Sequence, residues 1–156
     1  MMREIQKVPF SKSEEMRKYF YEYLTELSEF DPKIKFDESG TPVYKWFDFY
    51  WTEKERHPYY FIVEGKIAGL TLVRELGDRT FEIAEFYVLP EFRGRCNAIW
   101  FATELINLFE GEFSFSTRLT NSRAIKFWGK FADVCDQCEV VDDEICRNWK
   151  IRKNKK

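Results

Sequence analysis

Between residues 86 and 102 the chain reads FYVLPEFRGRCNAIWFA, and its middle carries the plainest chemistry in the sequence. Arg93, Gly94 and Arg95 lead into Cys96, Asn97 and Ala98. The run before them alternates as a strand does, and the run after them repeats at helical spacing. A short basic turn therefore opens a helix. A helix start presents unpaired N–H groups and a partial positive charge, which suit phosphate. Small residues let the backbone close on a diphosphate, and two guanidinium groups add counter-charge. Neither GxxxxGK[ST] nor GxGxxG occurs, so the P-loop and Rossmann nucleotide sites are set aside. No GxSxG occurs either, which removes the serine hydrolase reading. Cys135 and Cys138 form a CxxC with Cys146 eight residues on, but no fourth ligand stands nearby. They read as ordinary thiols, and no metal is expected.

That turn must be positioned by a folded chain, and 156 residues suit one domain with one core. Apolar residues at 44% and charged residues at 33% mark a globular chain rather than a disordered one. A net charge of −2 lacks the basic footprint of a nucleic-acid binder. No apolar run approaches the roughly 20 residues that span a bilayer, and Arg3, Glu4 and Lys7 exclude a secretory signal at the N-terminus. The expectation is a cytoplasmic protein, monomer or homodimer, with no nucleic-acid or membrane partner. The domain is expected over residues 1–151, with a basic, disordered tail over 152–156.

Residues 3–10 read as a strand. Ser11 opens a helix with Glu14 completing a capping box, and Met16, Phe20, Tyr23, Leu27 and Phe30 line one face. A second helical segment is expected from about Tyr44 to Arg56, where six of the eight residues in YKWFDFYW are aromatic and read as core packing ahead of the alternative, the apolar wall of a substrate pocket. YYFIVE and IAGLTLVREL form a hairpin, and TFEIAEFYVL adds a third antiparallel strand. The helix after the basic turn is stopped by Gly111 in a left-handed cap. EFSFSTRL is a strand, Asn121 caps a helix bearing Ala124, Phe127, Trp128 and Phe131, and CEVV and EICRNWKI close the domain. The order predicts an α/β (α+β) fold.

The basic turn resembles the signature of the GNAT superfamily of acyl-CoA N-acyltransferases, [RQ]-x-x-G-x-[GA], through Arg93 and Ala98, with Cys96 where the first glycine is usual. NSRAIKFW is similar to a second motif of that family through Asn121, Ala124, Phe127 and Trp128. The resemblance implies a mostly antiparallel central sheet flanked by helices, with two central strands splayed apart. It implies coenzyme A in the resulting V. The pantetheine arm would pair with the backbone around Phe86 to Val88, and the diphosphate would rest on residues 94–98. Asn121, Phe127 and Trp128 would complete the binding wall. Cys96 is expected to weaken coenzyme binding, at roughly 1 kcal/mol if its position requires positive φ and at little cost if it lies in the helix.

Such a protein would pass acetyl directly from acetyl-CoA to an amine, with an N–H near Val88 stabilising the oxyanion. Deprotonating an amine of pKa near 10.4 costs roughly 4 to 5 kcal/mol at pH 7, whereas releasing a thiolate of pKa about 8.5 costs about 2 kcal/mol. The base thus matters more than the acid. Glu82 and Glu85 are the candidate bases, since their strand borders the cleft. Trp128 stands where relatives carry an acidic tyrosine, and is expected to pack against the acetyl or pantetheine end. Tyr87 is a candidate substitute acid. His57 is expected to be structural or exposed, at a loop-to-strand junction. An idle coenzyme-binding or protein-interaction module is the alternative function.

Overall fold

In the computed structural model, which describes residues 1–153, the chain runs β1 (Arg3–Lys7), α1 (Ser13–Leu27), β2 (Lys35–Phe36), β3 (Pro42–Val43), β4 (Arg56–Val63), β5 (Lys66–Gly77), β6 (Thr80–Val88), α2 (Asn97–Leu108), β7 (Glu112–Arg118), α3 (Ser122–Asp133), β8 (Gln137–Asp142) and β9 (Cys146–Arg152). Seven strands join in the order β1-β4-β5-β6-β7-β9-β8, and β2 pairs with β3 apart from them. Every pairing in the large sheet is antiparallel except β6 with β7.

Strand alternation divides the core between two faces. Leu70 and Leu72 of β5 pack with Met16, Phe20 and Leu24 of α1. Val73 and Ile83 pack on the other face with Ala102 and Leu105 of α2 and Phe131 of α3. A register shift at Leu72/Val73 leaves Ala84 as the extra residue of β6. Such a bulge bends its strand. The parallel pairing of β6 with β7 covers only Thr80 to Glu82 against Glu112 to Ser114. Beyond it the strands part, as the resemblance implies. The indole of Trp128 sits between them, 5.0 Å from the Phe86 ring and 4.3 Å from the Phe115 ring. It acts as a wedge.

Four expectations need correction. The segment from Tyr44 to Arg56 is not an α-helix: it holds a 3-10 turn over Phe47–Trp51 and the start of β4. Phe47 and Tyr50, the two buried residues of that turn, stand three apart, which is the 3-10 repeat. Ser11 does not cap α1, because a 3-10 turn over Phe10–Lys12 precedes it and no side chain caps the helix. Glu14 pairs instead with Arg17 at 3.1 Å. Gly111 has no positive φ. It is required by a close approach, since a Cβ there would lie 2.1 Å from the Arg79 carbonyl oxygen. Finally, Arg152 ends β9, opposite Glu112 and Gln137, rather than beginning a tail. The remainder of that expected tail, from residue 154, lies outside the described residues. His57 is the second residue of β4, at the expected loop-to-strand junction, with Nε2 3.1 Å from the Glu75 carboxylate. Among the described residues no helix is long and apolar enough to cross a membrane.

Candidate active-site cleft

The wedge leaves a trough of four adjoining hollows. The most apolar, about 280 Å³, lies between Phe86, Tyr87 and Val88 of β6, Asn121, Ala124, Phe127 and Trp128 near or on α3, and Tyr23 and Leu27 of α1. At one end it adjoins a basin of about 310 Å³ formed by Gly94, Cys96, Asn97 and Ala98 with Arg123, Lys126 and Lys130. At the other end, across Tyr23, Phe86, Asn121 and Trp128, lies a chamber of about 300 Å³ that contains Glu85, Asp31 and Arg118. A last chamber of about 430 Å³ continues past Ile83 and Ala84 to Tyr44, Arg56, Arg74 and Glu82. Every residue singled out in the sequence as a candidate site residue therefore lies along the trough except Arg95 and the structural His57.

The turn that opens α2 is more contorted than its sequence suggests. Gly94, Arg95 and Cys96 are all left-handed, at φ 90°, 52° and 61°. Cys96 is the residue before the helix, not part of its first turn. An L-residue in that region costs roughly 1–2 kcal/mol, so two of them strain the loop. It is braced by Arg3, whose guanidinium donates to the Asn97 amide oxygen at 2.8 Å and to the Arg95 carbonyl at 2.6 Å. Asn97 in turn donates to the Phe92 carbonyl at 2.8 Å and is 3% exposed. Asn97 is thus a staple within the loop, not a ligand on its surface. Its N–H bonds the Gly94 carbonyl, whereas the N–H groups of Ala98 and Ile99 precede the first intrahelical bond, which runs from Trp100 to Cys96. Those two amides and the cations of α3 are what the basin offers an anion. Cys96→Gly relieves one left-handed side chain and is expected to raise unfolding stability by about 1 kcal/mol, as read from the urea midpoint at unchanged slope.

Arg93 reaches the trough but is turned away from the basin. Its Nε donates to the Val88 carbonyl at 3.0 Å, and its Nη2 to the Glu26 carboxylate at 2.8 Å. Its guanidinium also lies 5.7 Å from the centre of the Tyr87 ring. The anion it finds is on α1, so it closes the rim of the cleft instead of supplying phosphate counter-charge. Arg123 meets the same carboxylate at 3.2 Å. Because Leu89 N–H bonds Ala68, alternation turns the backbone of Tyr87 toward β5 and that of Phe86 and Val88 toward the cleft. The Val88 carbonyl there already accepts from the Arg93 Nε. The outward edge of β6 is already partly engaged.

Glu85 is the unusual carboxyl. It is half-buried in the chamber wall, and the Tyr23 and Tyr44 hydroxyls donate to its two oxygens at 3.0 and 3.5 Å. Removal from water dominates those bonds and pushes its pKa up to about 8. The same enclosure holds Tyr23 and Tyr44 well above the usual phenol range. Glu82 is different: its carboxylate pairs with Arg74 at 3.3 Å in the outermost chamber. Tyr87 is 6% exposed, packs on Tyr23 at 5.3 Å, and burial pushes its pKa up to about 12. A phenol of that pKa releases its proton less readily than the thiolate of pKa about 8.5 needs to gain one. Burial likewise pushes the Cys135 thiol up to about 11. Among the described residues no group of three His, Cys, Asp or Glu side chains could hold a metal.

Reading the sequence did not single out Tyr23, Glu26 or the cations of α3 as site residues, and it favoured core packing over a pocket wall for the run that begins at Tyr44. Tyr23 and Tyr44 come from elements far along the chain and carry no local signal. Arg123, Lys126 and Lys130 do carry one, since spacings of three and four put them on one helical face next to the Asn121 cap. That cap forms as expected, with the Ala124 N–H donating to Asn121 Oδ1 at 3.1 Å.

Residues 13–132 match the Acetyltransferase (GNAT) family. No curated protein matches the chain. Among solved structures, an acetyltransferase from Thermus thermophilus superposes with a TM-score of 0.72 at 10% identity, over 97% of each chain. A PaiA N-acetyltransferase from Thermoplasma acidophilum in complex with coenzyme A gives 0.63 at 13% identity, over 99% of this chain and 100% of that one. A spermidine N-acetyltransferase from Vibrio cholerae in complex with coenzyme A and spermine gives 0.65 at 11% identity, over 96% and 95%. At such identities the likeness concerns the fold.

Proposed function

The chain belongs to the GNAT acetyltransferase family, and on that premise we propose that it moves the acetyl group of acetyl-CoA directly onto an amine. The observation that carries this reading is the continuity of the trough. A cationic basin, a narrow apolar slot and a chamber holding a high-pKa carboxyl follow one another along the opened edge of β6. Coenzyme A has that order of parts: phosphates, an uncharged arm, then the thioester. Ala98, Ile99, Lys126 and Lys130 would meet the phosphates, with Gly94, Arg95 and Cys96 shaping the loop behind them. Phe86, Val88, Asn121, Phe127 and Trp128 would border the arm.

The thioester then falls beside Val88 and Glu85. The Val88 N–H points into the cleft and can donate to the oxygen that becomes negative when the amine adds. Glu85 takes the ammonium proton. An ordinary glutamate of pKa about 4.3 would accept a proton from an amine of pKa 10.4 at a cost of roughly 8 kcal/mol, but at pKa about 8 the cost is roughly 3 kcal/mol. Burial therefore tunes Glu85 toward the base role. The thiolate can leave unprotonated.

One observation favours a second reading, an idle coenzyme-binding or protein-interaction module: Arg93 is spent on Val88 and Glu26 instead of a phosphate. Calorimetry with acetyl-CoA, followed by thiol release over a panel of amines, separates the two. Saturable binding with amine-dependent thiol release supports transfer. Binding without release supports the idle module, and no binding rejects both coenzyme readings. Lys126→Ala combined with Lys130→Ala is expected to raise the Kd for acetyl-CoA about tenfold at low salt, since two partly exposed ion pairs contribute roughly 0.7 kcal/mol each. Near 1 M salt the difference should vanish.

A further inference from the structure

The outermost chamber has a composition that coenzyme A does not explain. Its wall brings together Tyr44, Tyr50, Arg56, Arg74, Glu82 and Ser116. On β5, Leu72 stands opposite Glu85 and Arg74 stands opposite Glu82. Arg74 therefore follows Glu85 along the same sheet face, by about 7 Å of strand. Glu82 occupies only the Nη2 end of Arg74, at 3.3 Å, and the Arg74 Nε is buried with no acceptor. Tyr50 is 3% exposed, and its hydroxyl has no hydrogen-bond partner of ordinary geometry. Arg56 is anchored through Nε to Glu53 at 2.8 Å, and its guanidinium carbon lies 5.3 Å from the centre of the Tyr50 ring.

Arg56 is held by Glu53 and Arg74 by Glu82, and two further buried donors in the wall, the Arg74 Nε and the Tyr50 hydroxyl, have no acceptor. Unpaired buried donors are rare in proteins and mark places where an acceptor completes the structure. The arrangement is hostile to a polyamine, whose second ammonium would lie against Arg56 and Arg74. It suits an anion, and guanidinium geometry matches a carboxylate in particular.

We propose that the acceptor is a small zwitterion, a free amino acid or close analogue, whose amine meets Glu85 while its carboxylate is held by Arg74 and the Tyr50 hydroxyl. This rests on the transfer reading above and specifies its substrate class. No charge is left uncompensated: the ammonium proton passes to Glu85, and the carboxylate stays ionised throughout.

The test uses the full chain with acetyl-CoA at saturation and thiol release as the readout. The panel holds the free amino acids, the carboxamide and decarboxylated amine of each, and spermidine. At least one amino acid is expected to give a kcat/KM at least 30-fold above its own amide and amine. Arg74→Met should reduce that preference to under threefold and Arg74→Lys should retain part of it, with the Kd for acetyl-CoA unchanged in both. Spermidine or the decarboxylated amines performing as well as the amino acids would overturn the zwitterion assignment while leaving acetyl transfer standing. Tight acetyl-CoA binding with no release from any member of the panel would overturn transfer, and this assignment with it.

Discussion

Glu85→Gln is expected to lower kcat/KM for the acceptor by about 10²- to 10⁴-fold, the usual range for loss of a positioned base, with the Kd for acetyl-CoA within about twofold of the native value. Glutamine keeps the shape, and its one amide oxygen can still receive the Tyr23 hydroxyl bond while the Tyr44 hydroxyl turns to accept from the amide nitrogen, so most of the loss reports proton transfer. The native protein should show kcat/KM rising with pH and levelling above about 8, where the free carboxyl ionises. That limb should disappear in the variant. A stability signature accompanies it. The folded state raises this carboxyl from its ordinary value near 4.5 to about 8, so between those values the native state holds a proton that the unfolded chain has lost. Stability should therefore fall as pH rises through that window and flatten above it. Glu85→Gln removes the dependence, so its melting temperature should exceed the native one at pH 9 by more than at pH 5. A variant that keeps full activity, or an acid limb that survives the substitution, would remove Glu85 from the chemistry.

The other large effect is expected at Trp128. Its indole holds β6 and β7 apart through Phe86 and Phe115, and it is 6% exposed. Trp128→Ala should cost roughly 3–5 kcal/mol of unfolding free energy. The strands are expected to close on the space, weakening acetyl-CoA binding by tenfold or more. Trp128→Phe keeps a ring but not its breadth, and should cost about 1–2 kcal/mol with a smaller loss of affinity. Chemical denaturation and calorimetry on the two variants read both quantities. Stability lost without any loss of affinity would show that the indole is core and not a spacer for the cleft. Its place between two separated strands, more than any proton it could offer, accounts for a tryptophan at this position.

What was legible in the sequence was local. The change of period across residues 86–102 placed a strand, a turn and a helix, and Asn121 three residues before Ala124 placed a cap. These depend on backbone chemistry within a few residues. The left-handed run over Gly94 to Cys96 was not legible, because it is held from outside by Arg3, more than ninety positions away. Arg93 looked like a phosphate ligand for the same reason: Glu26, which takes its guanidinium, is 67 residues distant. Glu82 and Glu85 stand alike in the sequence, and only the tertiary setting distinguishes a carboxylate paired with Arg74 from one enclosed by two tyrosines. Residues 44–56 misled because aromatic burial satisfies a helix and a 3-10 turn alike over so short a run.

The most direct test is a crystal structure of the protein soaked in acetyl-CoA. The arm of the molecule is expected between Phe86 and Phe127, its phosphates against Lys126 and the start of α2, and its thioester oxygen about 3 Å from the Val88 N–H, facing Glu85. A slot that remains closed by Tyr23 and Arg93, or acetyl-CoA bound elsewhere on the surface, would contradict that placement and the transfer chemistry built on it.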